Sequence, residues 1–312
     1  MKLAFVFPGQ GSQSVGMLSG LAAEHAIVTE TFQEAGDALG YDLWSMTQNG
    51  PEEELNQTAR TQPAMLAAGV AVWRVWNAVG GAQPNVMAGH SLGEYSALVC
   101  AGALDFTDAI RLVETRGQLM QAAVPAGVGA MAAILGLEDD AVRQACAEAA
   151  QGEVVEAVNF NAPGQVVIAG NKAAVERAAE AAKAAGAKRA VLLPVSVPSH
   201  SSLMQPAAER FAEVVAEVSI QAPSIPVINN VDVNAESDPN KIREALVRQL
   251  HNPVRWVETI RQFAAQGVET LVESGPGKVL AGLNKRIVKE QALYPVLDAE
   301  SLAAALAAIT YE

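Results

Sequence analysis

Val86-Met87-Ala88-Gly89-His90-Ser91-Leu92-Gly93-Glu94 is the stretch around which the chain is organised. Pro84 and Asn85 punctuate its start, the apolar run predicts a short strand, and residues 94–103 predict a helix of small side chains. Gly89, Ser91 and Gly93 stand between strand and helix as Gly-x-Ser-x-Gly. In this pattern a sharp strand-to-helix turn lifts a serine hydroxyl to the top of a sheet. A side chain on either glycine would collide with the turn or with an incoming substrate. The helix that follows aims its positive end at the serine, where anionic charge would develop. The bland alternative is a glycine-rich turn carrying a solvated serine.

Upstream, Leu3-Ala4-Phe5-Val6-Phe7 is apolar on both faces, as a central parallel strand would be. Pro8-Gly9-Gln10-Gly11-Ser12-Gln13 then predicts a tight loop into a helix near Ser14. The spacing Gly9-x-Gly11-x-x-Ser14 lacks the third glycine of a dinucleotide site. No strand ending in an acid follows about 20 residues on, and there is no Walker lysine. A loop of this kind can instead present a backbone N–H beside the elbow and complete an oxyanion hole.

The 312 residues are enough for a large α/β domain, or a large and a small one, and half are apolar. Lys and Arg total 21 against 34 acids, a net charge of −13. That balance argues against nonspecific binding to nucleic acid or membrane surfaces, and for a soluble protein. Cys100 and Cys146 fall in predicted helices without metal-ligand spacing and read as reduced core thiols. The first apolar run is too short for a signal peptide, and no uncharged run reaches membrane-spanning length. A cytoplasmic protein is the expectation.

Residues 14–82 predict mostly helix. Thr61-Gln62-Pro63 is expected to open a long apolar helix that runs to Val79 and closes at Gly80-Gly81, with Trp73 and Trp76 in the core. A second helix is expected over 105–121. At about 100° per residue, Ala109, Leu112, Val113, Leu119 and Met120 share one face of it, with Arg111 and Gln118 opposite. Arg116 falls within the apolar arc. A guanidinium buried there needs an anion. Either a protein Asp or Glu supplies it, or a substrate carboxylate does, held bidentate by the planar fork.

Residues 126–197 predict β-α-β-β-α-β, the ferredoxin-like order, with Asn171 capping an alanine-rich helix that ends at Gly186 and a last strand over 190–195. Beyond it, strands over 223–230, 270–273 and 293–297 alternate with helices over 239–250, 256–266 and 279–288. The fold class is therefore α/β: a large hydrolase-like domain with a mainly parallel sheet, residues 1–125 and 198–312, and an inserted ferredoxin-like subdomain, residues 126–197.

A serine hydroxyl needs a base. Of the four histidines, His25 lies on a polar helical stretch and His251 begins a helix-ending turn. His90, next to Ser91, should point away from it and brace the elbow. His200, in a Pro-Ser-His loop between strand and helix, is the candidate base, with bracing or capping as its alternative. No acid between Ser91 and His200 ends a strand in the usual way. A Ser-His dyad, oriented by a backbone carbonyl, is the simpler arrangement.

These residues resemble the malonyl-CoA:acyl carrier protein transacylases over nearly the whole chain. The segments are Phe7-Pro8-Gly9-Gln10-Gly11-Ser12-Gln13, Gly89-His90-Ser91-Leu92-Gly93-Glu94, Arg116-Gly117-x-x-Met120-Gln121, Asn161-x-Pro163-Gly164-Gln165, Val197-Pro198-Ser199-His200 and Glu273-x-Gly275-Pro276-Gly277. The resemblance implies Ser91 as nucleophile and His200 as general base. It implies an oxyanion hole from the N–H groups of Gln10 and Leu92, and Arg116 on the malonyl carboxylate. Gln249 would orient His200 through its main-chain carbonyl. It further implies ping-pong transfer from malonyl-CoA to acyl carrier protein in fatty acid biosynthesis, with no metal or redox cofactor. An acidic carrier protein would need a local basic patch, for which Lys188-Arg189 and Lys285, Arg286 and Lys289 are candidates; solvated helix ends are the alternative. A serine esterase or thioesterase would share the elbow but admit water, and a non-catalytic acyl-binding domain is a further rival.

Overall fold

The computed structural model describes residues 1–309. Among the described residues nine strands are formed: β1 (Lys2–Phe7), β2 (Val86–Gly89), β3 (Gly129–Leu135), β4 (Val155–Ala162), β5 (Gln165–Asn171), β6 (Arg189–Leu192), β7 (Val227–Ile228), β8 (Val268–Ser274) and β9 (Ala292–Val296). They make two sheets. The first has the order β7-β2-β1-β8-β9 and is parallel throughout. The second has the order β4-β5-β3-β6, with antiparallel neighbours.

β1 is the centre of the parallel sheet. Its alternation divides the core, because successive side chains point to opposite faces. Leu3, Phe5 and Phe7 join one apolar cluster with the helices Thr58–Ala78 and Phe106–Ala123. Ala4 and Val6 join another with Val254, Trp256 and Leu283. Phe5 meets Trp73 and Trp76 edge-on, with ring centroids 5.0 and 5.3 Å apart, so both tryptophans are core residues. Helices covering both faces explain why the strand is continuously apolar.

In the second sheet β3 and β4 flank β5 and are joined by the helix Asp139–Ala150, while the helix Lys172–Ala184 joins β5 to β6. Both helices pack on one face, against Ala132, Ile134, Phe160 and Ile168. The opposite face carries Met131, Val158, Val167 and Ala169, with Leu193 and Val195 packed beside them. This is the β-α-β-β-α-β arrangement expected for the inserted segment.

Several local expectations are corrected. No helix forms at Ser14; residues 10–18 turn, and the first helix is Ser19–Glu24. The long helix begins at Thr58, not Thr61, with Pro63 inside its second turn. Tertiary packing outweighs the proline there: Thr61, Gln62, Pro63 and Ala64 are all buried. The region 223–230 yields only the two-residue β7, and the strand expected over 190–195 ends at Leu192. Asn171 precedes its helix but makes no cap; its carboxamide oxygen accepts from the Val154 N–H instead. Cys100 and Cys146 are both free thiols, and burial pushes the latter up to about 12.

Candidate active site

The elbow is built from three close approaches. A Cβ on Gly93 would lie 2.0 Å from the Phe7 carbonyl oxygen, and one on Gly89 would lie 1.8 Å from the Gly93 carbonyl carbon. A Cβ on Gly9 would lie 2.5 Å from the His90 oxygen, so the loop after β1 is pressed against the turn. Only glycine permits this packing. Ser91 at its apex has φ 51, a left-handed conformation that side chains rarely adopt.

His200 Nε2 lies 2.7 Å from Ser91 Oγ, and its Nδ1 lies 2.7 Å from the Gln249 carbonyl oxygen. A carbonyl only accepts, so Nδ1 carries the proton and Nε2 accepts from the serine hydroxyl. Gln249 ends the helix Pro239–Gln249. Carbonyls at a helix C-terminus have no partner within the helix and carry partial negative charge, which suits an imidazole that must become cationic. The His200 N–H donates to the Leu250 oxygen at 3.1 Å, holding the same loop. Burial, then the Arg116 cation, lowers the His200 pKa to about 3, so the imidazole is neutral and free to take a proton.

Arg116 is 1% exposed and lies in the same cleft. Among the described residues it makes no ion pair. Its Nη1 donates to Gln62 Oε1 at 2.8 Å, and its Nη2 donates to Gln249 Oε1 at 2.9 Å. Nη2 is also 3.5 Å from Ser91 Oγ, and the guanidinium sits 5.3 Å from the centre of the Tyr95 ring. Burial lowers the Arg116 pKa from its ordinary value. A cation held by neutral amides beside the serine is short of negative charge, and an acyl group ending in a carboxylate would supply it.

Behind these residues lies a polar layer that sequence patterns do not reveal. Glu94 Oε2 accepts from Gln249 Nε2 at 2.8 Å and from the Asn230 N–H at 3.1 Å. Asn230 Oδ1 accepts from the Ser91 N–H at 2.9 Å, and its Nδ2 donates to the Gly89 oxygen at 2.7 Å. Gln249 thus serves His200 with its carbonyl and Arg116 with its amide. Burial raises the Glu94 pKa to about 7 against the hydrogen bonds that lower it. Gln62 had one visible signal, a polar side chain in an apolar helix. Asn230 had none. His90 points away from the serine: its Nε2 lies 2.7 Å from Asn161 Oδ1, and its ring lies 5.5 Å from that of Trp256.

The cleft has a volume of about 540 Å³ and lies between the two sheets. Gln10, Ser91, Leu92 and His200 line it from one side, Met131, Val167 and Leu193 from the other. The backbone N–H groups of Gln10 and Leu92 donate to no protein acceptor among the described residues. No cluster of three metal-ligating side chains and no helix long and apolar enough to cross a membrane occurs among those residues. Of the five candidate basic side chains, Lys188, Arg189, Lys285 and Lys289 are exposed, while the Arg286 guanidinium donates to Gln165 Oε1 and to the Pro163 oxygen.

The acyl transferase domain model matches residues 4–305. The malonyl CoA-acyl carrier protein transacylase of Escherichia coli K12 is 62% identical over 305 residues, covering 98% of this chain and 99% of that protein. The crystal structure of an acyl carrier protein S-malonyltransferase from Vibrio cholerae matches with a TM-score of 0.95 and 66% identity, over 97% of this chain and 99% of that one. A malonyl-transacylase solved in complex with a type II PKS acyl-carrier protein matches with a TM-score of 0.98 and 60% identity, over 99% and 100%.

Proposed function

The chain belongs to the acyl transferase domain family, and from that premise we propose that it transfers malonyl from malonyl-CoA to the phosphopantetheine thiol of acyl carrier protein, in fatty acid biosynthesis. Ser91 Oγ attacks the thioester carbonyl while its proton passes to His200 Nε2. The oxyanion is received by the N–H groups of Gln10 and Leu92 at the positive end of the helix Gly93–Cys100. The carbon–sulfur bond breaks, coenzyme A leaves with the proton from His200, and a malonyl-serine ester remains. The carrier-protein thiol then gives its proton to His200 and attacks the ester, and Ser91 is released with its proton restored. Gln249 keeps the imidazole in the required tautomer throughout. The chemistry asks for no metal and no redox cofactor. Coenzyme A thioesters, an acidic carrier protein and two reduced thiols fit a cytoplasmic location. We read residues 1–125 with 198–312 as the large domain and 126–197 as the inserted one, the cleft between them being the active site.

Arg116 carries this reading: a buried guanidinium with neutral partners, 3.5 Å from the nucleophile. The Arg116→Ala enzyme tests it. Malonyl transfer from coenzyme A should fall by at least about 100-fold, as expected when a charge-assisted bidentate contact is lost, while acetyl transfer holds or rises. Equal loss of both would overturn the assignment. Rapid hydrolysis of the malonyl-serine ester without an acceptor thiol would instead indicate an esterase.

A further inference from the structure

The segment Arg116-Gly117-x-x-Met120-Gln121 carries more than the cation. Gly117 lies inside the helix Phe106–Ala123, where glycine is a poor helix former and no turn requires it. Its reason lies across the helix interface. A Cβ on Gly117 would stand 2.7 Å from Ala59 Cα, 2.9 Å from the Thr58 oxygen and 3.0 Å from the Ala59 nitrogen. All three are backbone atoms in the first turn of the helix Thr58–Ala78, so no side chain can swing aside. The two helices meet main chain to main chain there, closer than helices with side chains between them.

The other residues of the segment secure the same crossing. Gln121, one turn beyond Gly117, accepts from the Ala59 N–H at 2.7 Å through its Oε1. That N–H belongs to the first turn of its helix and has no acceptor within it. Met120, one turn beyond Arg116, receives Gln62 Nε2 at 3.5 Å from its Sδ. A guanidinium only donates, so the Gln62 amide presents Oε1 to Arg116 and turns Nε2 toward the sulfur. The same first turn also meets the loop after β1, where Gln10 Nε2 donates to Thr58 Oγ1 at 3.4 Å. Arg116 and Gly117 are consecutive, so the spacing of the helices at one governs the placing of the other.

We propose that Gly117 is the positioning residue for Arg116: the close contact it permits, held by Gln121, seats the guanidinium where it selects a dicarboxylic acyl group. This rests on the transferase reading. A methyl at Gly117 must drive the helix Phe106–Ala123 off the first turn of its neighbour. Arg116 moves with its own helix, while Ser91 stays on the elbow and Gln10 on the loop after β1. The carboxylate end of a malonyl group and its thioester end are held by different elements, so the displacement spoils the match between them. An acetyl group has no charged end to match and is affected less.

The test measures Ser91 acylation as kcat/KM with malonyl-CoA and with acetyl-CoA on the full-length enzyme. In Gly117→Ala the preference for malonyl over acetyl should shrink by about tenfold, since a displacement of about 1 Å already costs that much or more. A loss of packing alone would lower both rates together. Gln121→Leu removes the acceptor without adding bulk at the Gly117 contact, and it should shrink the preference by about threefold. Gln121→Glu keeps an acceptor for the Ala59 N–H and should restore it. An unchanged preference in Gly117→Ala, or in Gln121→Leu if the alanine enzyme does not fold, overturns the proposal and leaves Gly117 a packing residue. If the original enzyme shows no preference for malonyl, the reading of Arg116 itself fails, which is a separate result.

Discussion

Ser91 and His200 share a strained backbone, with φ of 51 and 66. Side chains other than glycine hold this conformation only where the surroundings enforce it. Here Asn230 and the helix end at Gln249 do so, and both are anchored by the carboxylate of Glu94. That anchor titrates unusually. Burial raises Glu94 from 4.5 to about 7, so between those values the folded protein holds a proton that the unfolded chain releases. Stability from this group is therefore lost as pH rises from 4.5 through 7. His200 acts in the opposite sense. With its pKa lowered from 6.5 to about 3, it contributes full stability above 6.5 and loses it as pH falls toward 3. Glu94→Gln keeps an acceptor but cannot titrate, so the drop in melting temperature between pH 5 and pH 8 should shrink in calorimetry. An undiminished drop would place the titration elsewhere. The same substitution should lower acylation with malonyl thioester more than Tyr95→Phe does, because Gln249 loses its charged partner.

At the scale of elements, the elbow was fully legible. Gly-x-Ser-x-Gly between an apolar run and a helix requires a particular turn, and the required glycines are the ones with no room for a Cβ. Gly93→Ala forces a methyl into the Phe7 carbonyl. It should destabilise the fold by at least about 3 kcal/mol, read from denaturant melts. The face of Arg116 was legible too, because helical periodicity is local information. Other elements were not. The helix expected from Thr61 starts at Thr58, and Pro63 is tolerated because its neighbours are buried. Asn171 looked like a cap and is spent on Val154 instead. Glu273 has a role that spacing could not disclose. It stands one residue before the end of β8, and its carboxylate accepts from the Leu280 and Ala281 N–H groups, holding the helix Val279–Ile287 that forms one wall of the cleft. Glu273→Ala should cost about 1–3 kcal/mol and raise the KM for malonyl-CoA. Glu273→Gln, which preserves one acceptor, should recover part of both.

At the scale of the whole molecule, a net charge of −13 must still admit an acidic carrier protein under the reading proposed. Exposed local cations would be the means. Arg286 is a poor probe, since it also fastens the helix Val279–Ile287 to the turn at Pro163. Lys188 and Lys285 are exposed and uncommitted to acids. The double variant Lys188→Glu, Lys285→Glu should raise the KM for carrier protein about tenfold at low salt, with a smaller effect at high salt, and spare exchange onto free coenzyme A. Equal losses with both acceptors would remove these lysines from the docking surface. The alternation of strands and helices, the central apolar strand, the elbow and the buried arginine were all determined by the sequence, because periodicity and turn chemistry act over a few neighbouring residues. The partners of that arginine were decided only by the tertiary structure. Gln62 and Gln249 come from two separate helices, and a hydrogen bond between distant segments leaves no trace in the order of the residues.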